Sequence, residues 1–224
     1  MGSGMFINAG PLFGRAQAAY GRARKTSSED RELGQMDALD AIVFAAVALE
    51  AFVNEAVELA AQLPPPGTSN PPSVNSFATL LAEVERSHGS IQLKFMLAHQ
   101  VFTGTTYDAG RLPYQDFALL VRLRNAIAHY RPEESVSASA TQTAPKIAIQ
   151  KTPKFVAELR ARKLASKESS TTLGSWLVVV STVAVARWSC QSAAAMVLSL
   201  LDALPASHFK DQMEFFYRVP FRMP

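Results

Sequence analysis

Apolar residues recur along this chain at three- and four-residue steps, interrupted by short polar or proline-rich stretches, so nearly all of it is predicted helical. The longest run, QMDALDAIVFAAVALEAFVNEAVELAAQL (Gln35 to Leu63), is rich in Ala, Leu and Glu and has no internal Gly or Pro. PPPGTSNPPS stops it. The next run, VNSFATLLAEVERSHGSIQLKFMLAHQVF, is expected to be capped by Ser73 or Ser76 and to break near Gly89. After TGTTYDAGRLP, Pro113 suits the first turn of a helix over YQDFALLVRLRNAIAHY, and Pro132 forces its exit. Residues 133–152 read as a polar, Ser- and Thr-rich excursion with a short strand pair around KIAIQ. PKFVAELRARKLA predicts a short amphipathic helix, and GSWLVVVSTVAVARWSCQSAAAMVLSLLDALP one long buried helix. LFGRAQAAYGRARK is expected to form another short helix, and the tail from His208 onward to be irregular.

The pattern implies an all-α, up-and-down helical bundle with a polar excursion after the Tyr114–Tyr130 helix. Residues 1–4 read as a tag remnant before Met5, residues 5–34 as a partly helical N-terminal segment, residues 35–204 as the helical domain and residues 205–224 as a tail. The helices near residues 35–63 and 174–204 are apolar around much of their circumference. Such helices need neighbours on several sides, so a homodimer is expected.

Composition narrows the class. Hydrophobic residues make up 48% and charged residues 18%, which excludes a disordered chain. The net charge of +3 is compatible with an anionic partner without demanding one. Cys190 is the only cysteine, so an internal disulfide is excluded; a reducing, cytoplasmic setting and an inert core thiol are expected. The histidines, His88, His99, His129 and His208, show no metal-ligand spacing, so neither a metal nor a cofactor is expected. The most apolar stretch, WLVVVSTVAVA, is too short to span a bilayer, and no membrane partner is expected.

The candidate chemistry lies in RLRNAIAHYRP, Arg122 to Pro132. Leu119, Leu123 and Ile127 form one stripe at four-residue steps; Phe117, Leu120 and Arg124 form a second, and Val121, Asn125 and His129 a third. The last two begin apolar and turn polar, placing a polar cluster at one end of an apolar surface. Arg124 and His129 are five residues apart, roughly 140° around the axis, and meet only across a shared ligand or through a second copy of the helix. Two readings stand on physics alone. The residues support a helix end, where His and Arg complement the dipole and bond the last carbonyls, or they form a site.

RNAIAH, Arg124 to His129, resembles the R-x4-H signature of the HEPN family, with Asn125 at its polar second position. ALEAFVNEA, Ala48 to Ala56, resembles the long first helix of many HEPN-like bacterial proteins. The resemblance implies an up-and-down bundle that dimerises and a metal-independent endoribonuclease, a toxin or antiviral effector with RNA as substrate. An antitoxin or defence-system protein is then the expected partner. It assigns catalysis to Arg124, Asn125 and His129: histidine moves protons near neutral pH, arginine forks onto phosphate oxygens, and asparagine orients phosphate or histidine. Family toxins paired with nucleotidyltransferase antitoxins often carry tyrosine two residues after the histidine; here Tyr130 follows directly and Arg131 takes that place. The alternative is a catalytically silent HEPN-like module that binds RNA, a nucleotide or a protein.

Further candidates surround the motif. Glu50 and Asn54, one turn apart, either orient Arg124 or make a polar contact between packed helices. Tyr130 either stacks a base or closes the core. Arg22, Arg24, Lys25, Arg131, Arg160, Arg162 and Lys163 are candidate RNA-backbone contacts, with a solvated helix face as the alternative for the short basic runs. Asp116 and Arg122 are expected at the surface.

Overall fold

The computed structural model describes residues 7–26, 30–62, 69–129, 153–165 and 176–223. All regular structure among them is helical: α1 (Ala9–Thr26), α2 (Arg31–Ala61), α3 (Pro72–Arg86), α4 (Ile91–Thr103), α5 (Tyr114–Ala128), α6 (Lys154–Ala161), α7 (Trp176–Val180), α8 (Val183–Ala203) and α9 (His208–Met213), followed by a π-helical turn over Glu214–Arg218. The expected all-α bundle is present. The strand pair expected around KIAIQ and the rest of the 133–152 excursion lie outside the described residues.

The bundle is built around α2. Asp30 starts this helix by accepting the amides of Glu32 and Leu33, five residues before Gln35, where the run read from the sequence begins. Helix α1 runs antiparallel to it, since Arg22 pairs with Asp37 at one end and Asn8 meets Glu55 at the other. Helices α3, α4, α5, α8 and α9 cover its remaining faces. Ala38, Ile42, Leu49, Phe52, Val53 and Leu59 are thereby buried within one chain. The apolar circumference that suggested a homodimer is thus covered intramolecularly and no longer argues for one.

Several local expectations are corrected. Neither Ser73 nor Ser76 caps α3; Pro71 occupies the cap and Pro72 the first helical position, where the missing N–H costs nothing. The break near Gly89 is complete: His88 takes a left-handed φ of 56°, and the amides of His88 and Gly89 return to the carbonyls of Glu85 and Val84. A Cβ at Gly89 would collide with the Val84 side chain, so glycine is required at this corner. Ser90 then caps α4 through the Leu93 amide. The long buried helix expected over residues 174–204 is, from Trp176 on, two helices. The Ser181 hydroxyl bonds the Leu177 carbonyl and Thr182 caps α8 through the Val185 amide, so polar side chains break an otherwise apolar run.

The largest correction concerns the two ends. Helix α1 is longer than expected, and the segment from His208 is helical and packed. Phe209, Met213, Tyr217 and Phe221 recur every four residues and are all buried. Phe221 stacks on Phe13 at 4.4 Å, and Phe52 meets Tyr217 edge-on at 5.0 Å. Both end segments therefore share the main core, and the expected boundaries at residues 35 and 204 do not separate structural units. The buried Glu55 carboxylate joins the same elements, accepting the Asn8 amide at 2.6 Å, the Ala9 amide at 3.1 Å and the Tyr217 hydroxyl at 2.9 Å. Helix α8 has the length and mean hydropathy (21 residues, 1.2) of a membrane-crossing segment, yet much of it packs into this core.

Two expectations for stability follow. Glu55→Ala orphans two amides and a phenol at a buried site and should cost about 3–5 kcal/mol, lowering the melting temperature by roughly 6–20 °C; Glu55→Gln should cost less. Burial raises Cys190 from 9.0 to about 12 and Tyr107 from 10.0 to about 12; burial, with Glu55 adding to it, raises Tyr217 above its ordinary 10.0. These groups keep their protons in the folded state while the unfolded chain loses them. Stability should therefore be intact below pH 9 and fall as pH rises through 9–12. Melting curves across that range should show the decline, and Tyr107→Phe should flatten it.

Candidate functional site

Helix α5 buries Tyr114, Phe117, Leu119, Leu120, Val121 and Leu123, leaving Arg122, Arg124 and Asn125 toward solvent. The stripes read from the sequence hold, turning from buried to exposed toward the C-terminal end. Arg124 and Asn125 emerge opposite α2, where Glu50 faces them. The Arg124 guanidinium donates from Nη1 to Asn125 Oδ1 at 3.1 Å and from Nη2 to Glu50 Oε2 at 3.2 Å. The Arg124 and Glu50 side chains are 32% and 49% exposed.

These three residues border an open cleft of about 200 Å³, lined also by Ala46, Val121 and the segment Gly89–Ser90–Ile91–Gln92. That segment is the corner between α3 and α4 and the first turn of α4. Ser90 accepts the amide of Leu93 with its side chain and that of Lys94 with its carbonyl. The amides of Ile91 and Gln92 come before those bonds and have no partner within the helix. The cleft is thus lined by a guanidinium, a side-chain amide, a carboxylate and the first residues of a helix, where an anionic oxygen group finds hydrogen-bond donors.

Other sequence candidates divide by position. Of the two α2 residues, only Glu50 reaches Arg124. Asn54 instead accepts from Nζ of the buried Lys94 at 2.7 Å, and Lys94 also pairs with Glu85. His129 is the exposed C-cap of α5, its backbone amide bonded to the Asn125 carbonyl at 3.0 Å, and its side chain does not line the cleft. Tyr130 and Arg131 lie outside the described residues. Arg22 is bound by Asp37 and Arg162 by Asp116, so both are tied down as supports between helices. Arg24, Lys25 and Lys163 are exposed, and Arg160 is half-buried. Among the described residues, no three His, Cys, Asp or Glu side chains group to hold a metal ion.

Arg122 lies at the surface as expected, whereas Asp116 is half-buried, and both make ion pairs. The Asp116 carboxylate accepts from Trp188 Nε1 at 3.0 Å and pairs with Arg162. Arg122 makes a two-pronged bridge to Glu158 at 2.8 and 2.6 Å, which holds the Glu158 carboxyl below its ordinary range. Together these pairs clasp α6 and α8 to the motif helix. Sequence reasoning also missed Ser90, Gln92 and Lys94; Ser90 is legible as a cap before an apolar run, but its proximity to Arg124 is purely tertiary.

Comparison of the chain with protein-family models, curated proteins and solved structures gives no match.

The two polar groups on α5 should differ in what they contribute to stability. Arg124→Gln removes a half-exposed pair and should cost less than about 1 kcal/mol. Asp116→Ala orphans the indole N–H and Arg162 at a site where the carboxylate is only 19% exposed, and should cost about 2–3 kcal/mol. Thermal melts of the two variants beside the parent check the order.

Proposed function

We propose that the chain is an endoribonuclease of HEPN type, acting without a metal by attack of a ribose 2′-hydroxyl on the adjacent phosphate. The observation that carries this reading is the convergence of Arg124, Asn125 and the start of α4 on one cleft. Arg124 and the unpaired amides bind the scissile phosphate and stabilise charge developing on its oxygens. Glu50 orients Arg124. His129 transfers protons, and the products are a 2′,3′-cyclic phosphate and a 5′-hydroxyl.

Because His129 stands outside the cleft of its own chain, the reading includes a homodimer in which a two-fold axis brings a second Arg124 and His129 to a shared groove. A cytoplasmic toxin or antiviral role, with an antitoxin or defence-system protein as partner, rests on the RNAIAH resemblance. The position of His129 also favours a second reading, a catalytically silent module that uses the same cleft to hold RNA, a nucleotide or a partner protein.

Incubation of the purified protein with labelled RNA in EDTA separates the two. On the first reading RNA is cut, His129→Ala lowers the rate on the order of 100- to 10,000-fold with binding kept, and Arg124→Ala harms binding and rate together. RNA bound through Arg124 but never cut selects the second reading. RNA neither bound nor cut removes both RNA readings. A monomer at micromolar concentration by analytical ultracentrifugation removes the shared groove.

A further inference from the structure

We propose that the outer face of α1 is a second contact for the RNA strand, holding its phosphate backbone away from the cleft; the inference rests on reading the Arg124 cleft as an RNA site. Helix α1 carries four basic residues, Arg15, Arg22, Arg24 and Lys25, and no acidic one. The whole chain has a net charge of only +3, so the excess of positive charge is concentrated on this helix.

Burial fixes the side on which that charge sits. Ala9, Phe13, Ala16, Ala19 and Ala23 are buried against the bundle. Arg15, Ala18, Arg22 and Lys25 are exposed on the opposite arc. Arg15 lies over the Phe44 ring of α2, 5.9 Å from its centroid. Arg22 donates from Nε to Asp37 at 2.8 Å, which leaves both Nη groups of a half-exposed side chain for another acceptor. The two arginines are seven residues apart, about 10 Å along the axis and on one side of the helix, with Ala18 between them. Asp40, the exposed acid on the adjoining turns of α2, is turned roughly 40° further from α1 than Phe44 and does not stand between them. The exposed arc has no large apolar side chain to anchor a protein partner or enter a bilayer. Spaced guanidinium groups instead fit the repeated phosphates of a strand. Phe44 and Glu50 are about 9 Å apart along the α2 axis and roughly 120° around it, and residues 45–49 are all uncharged. A strand with one phosphate at Arg124 therefore reaches Arg15 without passing a carboxylate of α2.

The test uses the full chain and a single strand of about 12 nucleotides with 2′-O-methyl riboses, which lack the attacking hydroxyl. Ala18→Glu places a negative charge between Arg15 and Arg22 at an exposed position. It should weaken oligonucleotide binding about fivefold at low salt, and Ala18→Gln should leave it unchanged. Arg15→Gln should lower the slope of log affinity against log salt by about 0.7. A dinucleoside monophosphate with ordinary riboses has a single phosphate, which occupies the cleft, so Ala18→Glu should cut it at the parental rate. Circular dichroism verifies that each variant is folded. Equal affinity of the parent and Ala18→Glu for the oligonucleotide overturns the proposal. Equal weakening by Ala18→Gln does so too, because the contact is then not one of charge, as does slower cutting of the dinucleotide by Ala18→Glu, which places the effect in the cleft. In each case cleavage that still depends on Arg124 leaves the ribonuclease reading standing. A parent that binds phosphatidylserine vesicles but neither the oligonucleotide nor RNA overturns both.

Discussion

The Glu55 carboxylate sits where three parts of the chain meet, and the remaining geometry follows from its being satisfied there. A buried carboxylate is tolerable only when its oxygens are occupied by donors, and Glu55 takes two backbone amides at the start of α1 and the Tyr217 hydroxyl. Phe52, three residues earlier on α2, packs on Tyr217 and lies 6.0 Å from Phe221. The polar knot and the aromatic shell therefore fix the rotation of α2 about its axis. Glu50 is five residues before Glu55, roughly 140° around that axis, so when Glu55 faces the chain ends, Glu50 is turned toward α5. The Arg124 contact depends on a charge buried on another side of the same helix.

Much of the fold was legible because local periodicity and burial agree. The α2 run has no glycine after Gly34 and no proline, and it forms a helix as read. The stripes of α5 place Arg124 and Asn125 at the end of an apolar surface, where they are found. The errors have physical causes. Lys210, Asp211 and Glu214 dilute the composition of the tail and obscure its helix, although Phe209, Met213, Tyr217 and Phe221 mark a four-residue step throughout. The break at Ser181–Thr182 was missed because two hydroxyls are inconspicuous within a valine-rich run.

The site was legible only in part, since its other half comes from elements distant in sequence. Nothing in local spacing shows that Ser90 and Gln92 line the cleft beside Arg124, or that Glu50 rather than Asn54 is the α2 residue that reaches it. Asp116 is the clearest case. Its partner Trp188 lies 72 residues away, and an acidic residue in the first turn of a helix already has a sufficient local explanation. The charge pairs on α5 also have crossed polarity, with Arg122 meeting Glu158 and Asp116 meeting Arg162. That arrangement fixes the direction of α6, because the reversed orientation sets like charges together.

The meeting of α1 with residues 217–221 bears on the order in which the protein forms during synthesis. Helices α1 and α2 are joined by a short connection and can pair early. Until Tyr217 and Phe221 have left the ribosome, however, that hairpin carries a carboxylate lacking one donor and a Phe13 ring without its stacking partner. The hairpin is therefore an incomplete unit until residues 217–221 emerge, with an apolar face open to holdase chaperones or to the hairpin of a neighbouring nascent chain. Arrival of the π-helical turn closes that face, so late-emerging residues govern when the earliest ones become secure.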